Sequence, residues 1–198
     1  KIGALLLIDL DNFKTLNDTQ GHDTGDLLLR QVSERLVSCV RDSDTVARLG
    51  GDEFVVILEN LTAEPNDAVI GAKFTAEFIL DALQQPYHLG AYTHVSSASI
   101  GVTLFEKNLA TDTLMRQADL AMYKAKDSGR NAVYFFNPEM QATANAKAQM
   151  KTDLSKAILS ERQFELYYQP QVVADGAVTG AEALLRWNHP GKGLVMPG

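Results

Sequence analysis

A single cysteine, Cys39, is all the thiol chemistry this chain contains, so no disulfide closes within it. That usage fits a reducing compartment and reads Cys39 as a small residue on a helix rather than a reactive thiol. Long apolar runs are also missing, and none approaches the ~20 residues that span a bilayer. The opening "KIGALLLIDLD" has the positive charge and apolar stretch of a signal peptide but no small-residue cleavage site before its acids. Basic residues are in the minority, with 18 Lys and Arg against 25 Asp and Glu for a net charge of −7. Such a balance argues against nonspecific nucleic-acid binding and leaves only a local basic cluster to receive an anion. What is present is ordinary for a soluble globular protein, with 45% hydrophobic residues in a chain of 198. That length suits one packed domain plus part of another. Lys1 stands directly before a strand and the chain stops at "GLVMPG", so both ends read as cut.

"IGALLLIDL", residues 2–10, is short and continuously apolar, as a strand buried on both faces should be. "DNFKTLND" then crosses from strand to loop, and "NDTQGHDTGD", residues 17–26, reads as turn material. Leu28, Val32, Leu36 and Val40 recur every four residues and predict a helix from about residue 24 to 40. "TVARL" and "EFVVILE" are strands, and Gly50-Gly51 between them signals a hairpin. A helix follows over 66–85, with Val69, Lys73, Ala76 and Leu80 on one side and Phe74, Phe78 and Ile79 widening the apolar face, until Pro86 stops it. Residues 91–105 alternate as one long strand, 111–129 form a helix, and "NAVYFF" is a last strand. The order βαββαβ followed by αβ implies an α+β two-layer sandwich on a ferredoxin-like core, covering residues 1–136.

Residues 137–153 change character, rich in Ala, Gln, Lys and Met, and read as a helical linker started by Pro138. Met150, Leu154 and Ile158 share a face that enters a second unit. "QFELYYQPQVV" and "AEALLRW" are its strands, joined by the turn-prone "ADGAVTG". Residues 154–198 are too few to bury a core of their own.

The chemistry gathers where strands end. If the first strand neighbours the hairpin, Asp9 and Asp52 converge, and two carboxylates so close repel unless a cation neutralises them. Hard oxygen donors with room for phosphates suit Mg²⁺, with Mn²⁺ as the alternative. By composition alone the plainer account, a strand-end acid and two turn acids, is the commoner one. The segment after Asp9 shifts that balance: its free amides can hold phosphate oxygens, and Lys14 adds a point charge. Asn17 offers donor and acceptor, while Asp26 offers acceptors only. Together they match the edge of guanine, whose N1 and N2 carry hydrogens and whose O6 does not. Lys126 and Arg130, at the end of a distant helix, could close on the outer phosphates. Arg41 and Asp44, in "RDSD", combine a rigid donor fork with acceptors for a second guanine edge, although helix-end ion pairs of this kind are common.

"IDLDNFKTLNDTQGHDTGD", "RLGGDEF" and "RQADLAMYKAKDSGRN" resemble the signature segments of the GGDEF family, the diguanylate cyclases, over roughly residues 1–136. The resemblance implies that two GTP molecules, each held by one domain of an antiparallel homodimer, condense into cyclic di-GMP. It implies metal binding by Asp9, the Leu10 carbonyl and Asp52, with Glu53 assisting either the metal or deprotonation of the attacking 3′-hydroxyl. Guanine falls to Asn17 and Asp26; phosphates fall to the Asn12 and Phe13 amides, Lys14, Lys126 and Arg130. Arg41 and Asp44 resemble the family's inhibitory product site. A lone copy is expected to bind GTP yet turn over poorly, because one half-site lacks the orientation that a second supplies. The family normally carries a helix and an Asp-x-Leu-Thr-Gly-Leu-like segment before the first strand, and neither is in this sequence.

"FELYYQPQV" and "GAEALLRWNHP" resemble the first strands of an EAL domain, the cyclic di-GMP phosphodiesterase family built as a (β/α)₈-type barrel. There Glu182 corresponds to a metal ligand, Arg186 to a phosphate contact and Gln169 to a ligand-pocket residue. The later residues that hydrolysis needs are not in this sequence, so phosphodiesterase activity is not expected of it. Three functions remain: an active diguanylate cyclase beside an EAL domain whose remainder is its partner, a non-catalytic GTP sensor controlling that phosphodiesterase, and a cyclic di-GMP receptor through Arg41 and Asp44. Each implies a cytoplasmic location, including the cytoplasmic part of a membrane-anchored protein.

Overall fold

The first strand, β1 (Ile2–Leu10), is buried at every position. Its alternating residues serve two cores, with Ala4, Leu6, Ile8 and Leu10 in one cluster and Leu5 and Leu7 in another. A strand can be apolar throughout only if both faces are covered, and here they are. The computed structural model describes residues 1–106, 109–160, 163–174 and 176–196. The chain divides into two compact units, Lys1–Ala142 and Thr143–Gly198.

In the first unit β1 is followed by α1 (Phe13–Gln20), α2 (His22–Ser38), β2 (Thr45–Gly50), β3 (Glu53–Thr62) and α3 (Pro65–Leu83). Next come β4 (Tyr87–Leu89), β5 (Tyr92–His94), β6 (Ala98–Phe105), α4 (Thr111–Asp127) and β7 (Ala132–Phe135). The five-stranded sheet has the order β2-β3-β1-β6-β7, with β1 antiparallel to β3 and β6, and β7 parallel to β6. α2 and α3 bring Leu28, Val32, Leu36, Ala72, Ala76, Ile79 and Leu83 into the larger core. α4 packs Leu114, Ala118 and Met122 into the other cluster, against Leu5, Leu7 and Val55. Gly101 permits that approach: a Cβ on it would overlap the Ala118 carbonyl oxygen and the Met122 amide.

The expected βαββαβ order with its extra αβ is present, with two insertions. The stretch 13–20, expected as loop and turn, is helix α1, and only Gly21, at φ 85°, separates it from α2. Burial of Phe13 and Leu16 outweighs the turn propensity of Asn, Asp and Thr there. The single strand expected over 91–105 is broken at Val95–Ser97, and β5 pairs with β4 in a small hairpin instead. The apolar face of α3 also differs. Its buried stripe is Ala68, Ala72, Ala76, Ile79 and Leu83, while Phe74 (72% exposed) and Phe78 (51%) face outward. Alanine every fourth residue lets the helix approach the sheet closely, which a phenylalanine there would prevent.

The second unit holds the rest of α5 (Pro138–Ser160), the helix expected from Pro138 onward, and an antiparallel sheet. Its strands are β8 (Phe164–Val172), β9 (Val178–His189) and β10 (Gly193–Val195), with β9 central. β9 begins earlier than expected, taking Val178–Gly180 from the predicted turn, whose Asp175 lies outside the described residues. Trp187 is buried, donates its indole N–H to Gln163 Oε1 at 3.0 Å and meets His189 edge-on at 4.8 Å. His189 in turn lies 3.2 Å from Asp153, whose carboxyl that hydrogen bond holds below its ordinary value. Among the described residues no helix is long and apolar enough to cross a membrane.

Candidate active site

The ladder between β1 and β3 sets Asp9 directly opposite Glu53. Beyond the ladder, the Leu10 amide donates to the Asp52 carbonyl at 3.2 Å and pins the turn onto the end of β1. Gly51 takes φ 54°, which a two-residue hairpin needs and L side chains resist. Arg48 braces the same turn, donating from Nε and Nη2 to the Gly51 carbonyl at 3.0 and 2.8 Å. The adjacent acids thus interrupt an apolar run because the run reverses there, at the end of the sheet that carries Asp9.

Asp9 is buried, and Lys126 Nζ lies 2.7 Å from its Oδ2. Burial pushes the Asp9 carboxyl above its ordinary value; the hydrogen bond and charge of Lys126 pull it down, and the charges of Asp52 and Glu53 push it up again. Burial is thus the largest influence on Asp9 and outweighs its ion pair with Lys126. No cluster of three or more His, Cys, Asp or Glu poised to hold a metal occurs among the described residues. The acids feel one another's charge without converging, and Lys126 holds the face of Asp9 turned toward it. Their donor chemistry, carboxylates beside the Leu10 carbonyl, fits Mg²⁺ or Mn²⁺ in kind.

Next to this group, Asn12 opens α1 at φ 60°, leaving the Phe13 amide among the unpaired donors of the helix start. Asn17 follows on α1, with its Oδ1 buried and without a partner. Gly25 of α2 makes the space for it, since a Cβ there would overlap Asn17 Oδ1. A buried acceptor lacking a donor is costly unless a ligand supplies one. Lys14, Asp26 and Arg130 are exposed and come to the site by their place along the chain rather than by contact. After α4, Gly129, Arg130 and Asn131 all have positive φ (112°, 66° and 49°), which turns the chain sharply behind Lys126.

Arg41 and Asp44 lie elsewhere. Asp44 accepts from the Arg41 amide and the Glu59 amide, both at 3.0 Å, and leaves the Arg41 side chain exposed. Glu59 stands ~20 Å along β3 from Glu53 by strand rise, so this pair is separate from the carboxylate group. In the second unit Gln169 pairs across the ladder with Glu182, and Arg186 with Glu165, placing Gln169, Glu182 and Arg186 on one sheet face. The Arg186 guanidinium sits 5.5 Å from the Tyr167 ring centre.

Sequence reasoning missed three contributors: Gly25, Arg48 and the buried Asp11, which accepts from the Ser97 and Ser99 hydroxyls and the Asn131 amide. The alternation Asp9-Leu10-Asp11 was a signal for the last, because it puts the two acids on one side of the strand end.

With this geometry in hand, comparison with known proteins is specific. Residues 1–132 match the family described as "Diguanylate cyclase, GGDEF domain", and residues 151–198 match the EAL domain. The bifunctional diguanylate cyclase/cyclic di-GMP phosphodiesterase MucR of Pseudomonas aeruginosa is 48% identical over 98% of this chain, which spans 28% of MucR's length. The GGDEF domain of TpbB (YfiN) from Pseudomonas aeruginosa superimposes with a TM-score of 0.66 at 35% identity, covering 73% of this chain and 83% of that one. The GGDEF domain of DgcB from Caulobacter crescentus, solved in complex with c-di-GMP, gives 0.59 at 28% identity, covering 68% and 77%. This chain is a member of the GGDEF family that continues into an EAL segment.

Proposed function

We propose that residues 1–136 form the GTP-binding half-site of a diguanylate cyclase within a GGDEF–EAL signalling protein. The observation that carries this reading is the placement of the buried, unpartnered Asn17 Oδ1, cradled by Gly25, on the helix that begins four residues after the Asp9 carboxylate. A guanine N–H supplies the missing donor, and Asp26 receives a second. The Phe13 and Asn12 amides and Lys14 take the phosphates from one side, and Lys126 and Arg130 from the other. When bound, Mg²⁺ or Mn²⁺ held by Asp9, Asp52, Glu53 and the Leu10 carbonyl would compensate phosphate charge and acidify a hydroxyl.

In an antiparallel pair of copies, each 3′-oxygen attacks the α-phosphorus of the opposed GTP. One P–O bond forms, the bond to the β-phosphate breaks, and pyrophosphate leaves. Glu53, opposite Asp9, is either a further ligand or the group that takes the hydroxyl proton. Lys126 has a second task, because it is the cation on Asp9 before phosphates compete for it. We read the domain as cytoplasmic because GTP is supplied there. We read the second unit as the opening strands of a (β/α)₈-type barrel, with Gln169, Glu182 and Arg186 on its ligand face.

Incubation of the chain, alone and fused to a dimerising segment, with GTP and Mg²⁺ tests the reading by release of pyrophosphate and cyclic dinucleotide. GTP binding without product in both forms would favour a GTP sensor that regulates the EAL unit. A second reading, product binding at Arg41, has its own support: Asp44 is spent on two backbone amides, so the exposed Arg41 guanidinium is the available group. Arg41→Ala is expected to weaken cyclic di-GMP binding roughly 10- to 150-fold, the loss of a charged hydrogen bond, with initial turnover unchanged. An unaltered calorimetric affinity would remove Arg41 from that role.

A further inference from the structure

Asp11 is buried like Asp9, and both of its carboxylate oxygens accept hydrogen bonds. Oδ1 accepts from the Ser99 hydroxyl at 2.8 Å; Oδ2 accepts from the Ser97 hydroxyl at 2.7 Å and the Asn131 amide at 3.1 Å. Its own amide donates to the Ser97 carbonyl at 2.9 Å. These bonds join three segments far apart in sequence: the end of β1, the start of β6 and the turn after α4. Two of the three carry left-handed backbone at non-glycine residues, Asn12 at φ 60° on one side and Arg130 and Asn131 at 66° and 49° on the other. Such conformations persist only where surrounding contacts hold them. The Asn131 amide is held by Asp11, and the Asn131 side chain by Gln84 at 2.9 Å.

The segments so joined are those assigned above to phosphate. One presents the Asn12 and Phe13 amides with Lys14, and the other presents Arg130 and, one turn earlier, Lys126. From this geometry we infer that Asp11 is a positioning residue for the triphosphate: it fixes the gap between the two phosphate-contacting segments and holds the strained turn that aims Arg130. The inference rests on the GTP reading. Asp11 does not act as a metal ligand here, since both oxygens are turned onto internal donors. Nor is apolar packing its purpose, because an ionised acceptor on three neutral donors fixes direction in a way a leucine cannot.

The test uses the 198-residue chain with Asp11→Ala, Asp11→Asn and Ser99→Ala. Hydrogen exchange without ligand is compared at residues 128–133 and at β3, and calorimetry compares GTP with GMP, which lacks the outer phosphates. Asp11→Ala should speed exchange at 128–133 and leave β3 unchanged. It should weaken GTP about 10- to 100-fold, the range for an outer partner that orients a binding group, and leave GMP unchanged. Asp11→Asn should restore GTP to within about 3-fold, because its amide oxygen can serve Ser97 and Asn131 while its NH₂ donates to the Ser99 hydroxyl. Ser99→Ala should show the same GTP-specific loss at smaller size, and it decides the matter if Asp11→Ala does not fold. Parallel loss of GTP and GMP, unchanged exchange at 128–133, or an Asp11→Asn protein as weak as the alanine variant would overturn the inference. If the unsubstituted chain binds neither nucleotide, the GTP reading falls and this inference with it; normal GTP binding with an unaltered GTP-to-GMP ratio in the variants overturns the inference alone.

Discussion

Two strands of nine residues, β1 and β8, show how differently the two units use apolar sequence. In β1 all nine positions are buried, whereas in β8 only Phe164 is half-buried and the rest, including Leu166, Tyr167 and Tyr168, are exposed. The difference lies in what covers the sheets. Helices on both faces seal β1, and its neighbours β3 and β6 contribute Phe54, Val56, Ile100 and Val102 to the same core. In the second unit the buried hydrophobic side chains are Ala157 and Trp187 among the described residues, with a cleft of ≈ 290 Å³ lined by Met150, Leu154, Phe164, Leu185 and Trp187 among others. A strand's apolarity records that it can be buried; the layer above it determines whether it is. The first unit can therefore hold acids at fixed places near its sheet end, while the second shows its proposed ligand residues on an open face.

Four experiments would break or sharpen this contrast. Asp52→Ala is expected to reduce cyclic dinucleotide formation by more than the roughly 10- to 100-fold that losing an outer partner costs. Its thermal midpoint should stay unchanged, because Asp52 sits in the turn between β2 and β3 and not in the core. Pyrophosphate release by a folded Asp52→Ala protein at the unsubstituted rate would remove Asp52 from the site.

Next in size is a pair of alanine substitutions at strand glycines, one in each unit. Gly101→Ala forces a Cβ into the α4 backbone and should destabilise the first unit by at least the ~1–3 kcal/mol typical of overpacking. Gly180→Ala meets only the Gln171 side-chain oxygen, at 3.3 Å, and should change stability by less than ~0.5 kcal/mol. Denaturant unfolding separates the two; equal effects would deny that the units differ in packing.

Gly25→Ala tests the proposed guanine contact at Asn17. The added methyl displaces Asn17 Oδ1, so GTP should bind roughly 5- to 150-fold more weakly, the equivalent of ~1–3 kcal/mol for one mispaired buried group. Stability should hardly fall, because alanine is favoured over glycine in a helix by ~1 kcal/mol. Calorimetric titration beside a melting curve reads both, and preserved GTP-over-ATP preference would sink the assignment.

The smallest effect is the stability of Asp9→Asn. Burial raises the folded-state pKa of Asp9, so folding takes up protons at this group and its charge costs stability above that pKa. The Asn variant should be as stable as the unsubstituted chain or more so at neutral pH. As pH falls through the raised folded value toward the ordinary 3.8, the unsubstituted chain regains the difference. Midpoints at pH 7 and in acid check the sign; a destabilised variant at neutral pH would mean the Lys126 pair outweighs burial.

Much of the fold was legible because its signals are local. The apolar run of β1, the glycines of the β2–β3 turn and the four-residue recurrence in α2 report burial and backbone geometry directly. Local pattern also placed Asp9 at a strand end and Asp52 in a tight turn. It failed where neighbours from distant segments decide. Phe74 and Phe78 looked like core but lost that place to a stripe of alanines, because the distance between helix and sheet is a property of the pair.

By itself, then, the sequence determined which runs build the five-stranded sheet, where the hairpin reverses and which residues carry charge, since these follow from side-chain chemistry and near-neighbour sterics. Only the tertiary structure decided that residues 13–20 are helix, that Ser97, Ser99 and Asn131 meet on Asp11, and that Lys126 rests on Asp9. Those outcomes depend on the free energy of burying groups that are distant in sequence, by more than a hundred residues in the Asp9–Lys126 pair, and no local pattern encodes that distance.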